Sequence, residues 1–110
     1  MNSKGPGFAV LYRWRLRPGM EASFIEAWSL VSQELRLRGS LGSRLHRGPE
    51  GVWYSYAQWP SAATRAHAFT LPAGNAEAIK AMQEAIAESL PEIILESVSD
   101  LLVLGGESEA

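Results

Sequence analysis

Two histidines, four tryptophans and no cysteine set the chemistry open to this 110-residue chain. A neutral imidazole can take a phenolic or enolic proton near neutral pH, so His46 and His67 are the candidate general bases. His46 stands between Arg44 and Arg47 and reads either as a base or as an exposed strand histidine. His67 lies among alanines and reads as solvated. Without cysteine there is no thiolate nucleophile, no disulfide and no sulfur metal site, so neither a metal nor a cofactor is expected. No Ser-His-Asp arrangement, phosphate loop or metal-ligand spacing points to another chemistry.

Trp59 is the second focus. It reads as plain core or as the wall of a cavity, and its neighbours favour the wall. Ser55 and Ala57 share its strand parity, and small residues beside a large ring leave volume. A ligand pocket needs that kind of space, apolar with a few orienting polar groups. Trp53 has the same parity, and Tyr12 and Trp14 offer further aromatic lining from the first strand. Arg13 and Arg15 alternate with those two rings. If the aromatics go under helices, the guanidinium groups enter a barrel; otherwise they pair with Glu96 and Asp100 of a neighbouring strand, the pairing that avoids a costly unpartnered buried charge.

The positions of these residues follow from a chain that reads as one domain over residues 8–104, with flexible tails at 1–7 and 105–110. Hydrophobic residues make up 46% of it, enough for one core. A net charge of −2 argues against nucleic-acid binding. Residues 1–50 carry eight basic and four acidic groups and residues 51–110 two and eight, which suits basic strands pairing with an acidic one, or an anion-attracting patch. No run approaches the roughly 18 apolar residues of a membrane span, and Met1 to Gly7 lacks a signal-peptide core, so a cytoplasmic protein without membrane attachment is expected.

Phe8 to Arg17 alternates with period two and predicts a strand that Pro18-Gly19 ends. Met20, Phe24, Ala27, Trp28, Val31 and Leu35 then recur at helical spacing, predicting a helix to about Arg38 with Gly39 as its cap. Leu41 to Arg47 and Val52 to Trp59, joined through Gly48-Pro49-Glu50-Gly51, predict a hairpin. Ser61 to Phe69 predicts a helical turn, Asn75 caps a helix to about Leu90, Pro91 breaks it, and Ile93 to Leu104 predicts the fourth strand. The order βαββαβ is ferredoxin-like, an α+β fold with a four-stranded antiparallel sheet and two helices on one face. The other sheet face is too aromatic and aliphatic to stay wet, so a homodimer closing a barrel is expected.

Tyr56-Ala57-Gln58-Trp59-Pro60, with Gly42-Ser43, His46, Gly51 and the Pro18-Gly19 stop before Phe24 and Trp28, resembles the antibiotic biosynthesis monooxygenase-like family of dimeric α+β barrel proteins. The resemblance spans about Phe8 to Leu104, with its most specific part in the YAQWP block. It implies a small-molecule cavity in a homodimer. Trp59 falls on the tryptophan that lines the family cavity, and His46 falls near a cavity histidine of the quinone-forming oxygenases if the hairpin is one residue shorter. Ser55 stands where those enzymes carry an asparagine, and Arg65 where a cavity tyrosine is expected. In the haem-degrading branch an asparagine would align near Tyr12, which disfavours that activity.

The function so implied is a cofactor-independent monooxygenase-like protein acting on a small aromatic or phenolic substrate. The catalytic set would be His46, Trp59 and Ser55, with Tyr12, Trp53, Ala57 and Arg65 binding substrate. The alternative, favoured by Ser55 and Arg65, is a non-catalytic dimeric binding or stress-related protein of the same fold.

Overall fold

A computed structural model describes residues 7–103. The expected tails therefore lie almost wholly outside the described residues. The order is β1 (Phe8–Leu16), α1 (Glu21–Leu37), β2 (Gly42–Arg47), β3 (Val52–Trp59), α2 (Ala62–Thr70), α3 (Ala76–Ala85) and β4 (Ile86–Glu96). The sheet is antiparallel in the order β2-β3-β1-β4.

The period-two alternation of β1 and β3 becomes two unlike faces. Val10, Trp14, Trp53, Ala57 and Trp59 are buried under the helices, where Trp14 and Trp53 both make T-shaped contacts with Phe24. Completely burying a side chain such as Phe24 contributes roughly 1.5–3 kcal/mol. The stop after α1 works as its sequence suggests: Gly39 takes φ +112° and its N–H bonds the Arg36 carbonyl, a conformation that favours glycine.

Three elements differ from the sequence expectation. Ser61–Phe69 is not a single turn: Ser61 accepts from the Thr64 N–H and starts a nine-residue helix, so three helices accompany the sheet rather than two. The helix capped by Asn75 ends at Ala85 and not near Leu90, because Ile86 is already extended and pairs with Leu16. Pro91 consequently lies inside β4 instead of preceding it. The position is tolerated because β4 is an edge strand and its register against β1 shifts between Leu11 and Arg13, a bulge that absorbs a residue without an N–H. The strand ends at Glu96, and Ser97 to Val103 take no regular structure.

The parity of β1 is also settled. Tyr12 and Trp14 go under the helices, and Arg13 and Arg15 face the other way. Their partners are not Glu96 and Asp100: Arg13 Nη2 donates to the Pro91 carbonyl of β4 at 2.9 Å, and Arg15 pairs with Glu88 of β4 at 3.3 Å and donates to the Glu50 carbonyl between β2 and β3. Among the described residues no helix is long and apolar enough to cross a membrane, and no three His, Asp or Glu side chains gather as metal ligands.

Candidate functional site

The small residues of β3 leave a cavity between the sheet and the helices. On the helix-facing side the strand presents Ser55, Ala57 and Trp59, with two short side chains where large ones would fill the space. A volume of about 180 Å³ remains, walled also by Tyr12, Trp28 and Phe69. Tyr12 stacks on Trp14 at 5.9 Å with parallel planes. Phe69 makes a T-shaped contact with Trp59, also at 5.9 Å, and so α2 closes one side.

Polar contacts are few and specific. Trp28 Nε1 on α1 donates to Ser55 Oγ at 3.0 Å, tying helix to strand through the cavity wall. Trp59 is 1% exposed, and its Nε1 is buried without an acceptor. An N–H stripped of water and left unpaired is worth about 1–3 kcal/mol to whatever oxygen can meet it. Arg65 Nη2 on α2 donates to Tyr12 Oη at 3.0 Å and to both carboxylate oxygens of Glu92 at 3.1 Å. The bulge in β4 falls opposite Tyr12, beside Glu92. The guanidinium also lies over the rings of Phe69 and Tyr12, at 5.0 and 5.8 Å.

This arrangement shifts two titrations. Burial pushes the Tyr12 phenol above its ordinary value, against the opposing hydrogen bond and charge of Arg65. Burial also opposes the Arg65 charge, but contacts with Tyr12 and Glu92 outweigh it and hold the guanidinium charged.

The sequence-expected residues do not all converge. Trp59, Ser55, Ala57 and Tyr12 line one cavity. Arg65 stands behind it, touching two of its walls. Trp53 is on the same side but packs with Phe24, Trp14 and the Arg47 guanidinium at 4.9 Å, away from the cavity. His46 is separated from the set: it pairs in register with Tyr54, which puts it on the opposite sheet face from Ser55, exposed in a broad concavity of about 1100 Å³ with Arg44, Tyr54 and Tyr56. That larger hollow is an uncovered sheet face, whereas the smaller one has apolar walls and an unmet donor. Within the chain His46 therefore cannot reach a molecule held against Trp59. Trp28 and Phe69 are wall residues that the sequence reading did not assign to the site. The helical stripe could have nominated Trp28, but not its bond to Ser55.

The fold and site define a ferredoxin-like α+β protein with an internal cavity, and solved structures share that architecture. SnoaB, a cofactor-independent oxygenase from Streptomyces nogalater, superposes with a TM-score of 0.72 at 14% identity, covering 87% of this chain and 97% of that one. A proposed antibiotic biosynthesis monooxygenase from Bordetella bronchiseptica gives 0.70 at 23% identity, covering 84% and 98%. Another from Caulobacter crescentus gives 0.71 at 19%, covering 86% and 92%. The chain has the fold of the antibiotic biosynthesis monooxygenase-like proteins. No protein-family model and no curated protein matches its sequence.

Proposed function

We propose that this protein is a small-molecule enzyme of the cofactor-independent oxygenase type, taking a compact phenolic or enolic substrate into the cavity beneath Trp59. The observation that carries the reading is the buried, unpartnered Trp59 Nε1 beside space left by Ala57 and Ser55. A substrate oxygen accepting from that N–H removes the desolvation cost and fixes the ring's orientation. The volume, below the roughly 300–1,000 Å³ of drug-sized pockets, suits one or two rings. In such chemistry the substrate's own anion supplies the electrons: an activated CH2 and dioxygen become a carbonyl and water, the second oxygen atom leaving with the two hydrogens.

The functional unit we infer is a homodimer. Leu11, Tyr54, Tyr56 and Leu95 share the sheet face without helices, and Leu101 and Leu102 stand exposed beside it. A second copy of this face is the partner that covers it by symmetry. Light scattering is expected to return about twice the 12.0 kDa chain mass, and a monodisperse monomer contradicts the dimer.

A second reading, a binding protein without turnover, is favoured by the separation of His46 from the cavity. An oxygen electrode with anthrone-like and hydroquinone substrates distinguishes the two. Consumption that falls in Trp59→Phe supports the oxygenase; saturable binding without consumption supports the binder. Absence of both contradicts the site.

A further inference from the structure

The partnered hydroxyls on the cavity wall share one property: each is the acceptor. Ser55 Oγ accepts from Trp28 and Tyr12 Oη accepts from Arg65, so both hydroxyl protons remain to be donated. Trp59 Nε1 is a donor with no partner. No carboxylate, amide or imidazole side chain lines the space. Behind it, Arg65 Nε is a further buried donor without an acceptor, and Phe69 lies between the two orphans, 5.9 Å from Trp59 and 5.0 Å from the guanidinium.

Ser32 and Ser43 add two more hydroxyls, and a wall that offers N–H and O–H protons without a carboxylate is complementary to a ligand made of acceptors. Resting on the reading of this cavity as the binding site, we propose that its ligand is an acidic molecule bound as its oxyanion, an enolate, phenolate or hydroxyquinone anion. Its oxygens accept from Tyr12 and Trp59, and Arg65 is the positioning residue that selects the negative charge through Tyr12. An anion in an apolar pocket is costly unless hydrogen-bonded and paired with charge. A hydroxyl whose oxygen already accepts from a guanidinium is polarised toward donation, and a bond from it to an ionised oxygen is stronger than a neutral one. Glu92 faces Arg65 from β4 and holds it against the Tyr12 hydroxyl. No base lines the cavity, so the ligand gives up its proton to solvent on entry, which favours the more acidic molecules over weakly acidic phenols.

The test compares 2-hydroxy-1,4-naphthoquinone, anionic near neutral pH, with its neutral 2-methoxy ether. Binding is followed by tryptophan fluorescence, and displacement of one compound by the other confirms a shared site. The anion is expected to bind at least about tenfold more tightly. Arg65→Met should reduce that preference below about threefold while Arg65→Lys keeps it. Tyr12→Phe, which leaves the Arg65–Glu92 pair in place, should abolish it too and decides the matter if near-UV circular dichroism shows Arg65→Met to be misfolded. Equal binding of the two compounds, or a preference that survives both Arg65→Met and Tyr12→Phe, overturns the proposal and leaves the cavity's binding role intact. If neither compound binds, the binding-site reading falls and takes the proposal with it.

Discussion

Trp28 on α1 and Ser55 on β3 are joined by a 3.0 Å hydrogen bond that closes the cavity wall between helix and sheet. The indole is the donor, so the pair is asymmetric. Ser55→Ala strands a half-buried N–H and should destabilise the fold by about 1–3 kcal/mol. Thermal unfolding is expected to show this as a fall of roughly 4–8 °C per kcal/mol. In the Trp28→Phe background the same substitution should have a markedly smaller effect; full additivity would mean that the bond contributes nothing.

Ala57 is the residue whose size keeps the cavity open. Ala57→Leu directs a branched side chain into about 180 Å³ of space and is expected to abolish ligand binding. The stability change should stay within about 1–3 kcal/mol, the usual range for overpacking. Retained binding, measured by fluorescence titration, would place the ligand elsewhere.

Gly39 connects the end of α1 to α2 through close approach. Its φ of +112° disfavours a side chain, and an added Cβ would lie 2.7 Å from Thr64 Cγ2. Gly39→Ala is expected to destabilise by more than about 1 kcal/mol. Thr64→Ser in the same chain should recover the steric part while the backbone penalty remains, as chemical unfolding midpoints would show. No recovery would mean that the contact is not what opposes the methyl group.

Tyr12 gives stability a defined pH dependence. Its folded-state pKa is raised, chiefly by burial, so the folded state holds the phenolic proton more tightly than the unfolded chain does. The contribution is complete below the unfolded value of about 10 and is lost as pH rises through the folded value. Urea unfolding of the wild type should therefore lose stability more steeply as pH rises above about 10 than Tyr12→Phe does. Parallel profiles would contradict the assignment.

The sheet was legible where alternation was strong: Val52–Trp59 emerges with the expected bounds because its two faces differ in size as well as polarity. The end of the chain was not. Pro91 reads as a stop, yet an edge strand needs no N–H there, and pairing with β1 carries Ile86 to Glu96 through a bulge that no local pattern encodes. The site was legible on one strand only. Parity put Ser55, Ala57 and Trp59 together, but whether His46 joined them depended on β2–β3 register, and a one-residue difference moves a strand residue to the opposite face. Arg65 was found by position in a family pattern, while its contact with Tyr12 comes from a helix that the sequence suggested only as a turn.

The central claim is that a ligand oxygen meets Trp59 Nε1. The chain has four tryptophans, so a 1H–15N correlation spectrum resolves four indole N–H signals, assignable by single Trp→Phe substitutions. On titration with 2-hydroxy-1,4-naphthoquinone, the Trp59 indole proton should move downfield as it gains an acceptor, with smaller changes at Trp28 and little at Trp53. An unmoved Trp59 signal under saturating binding would contradict the account.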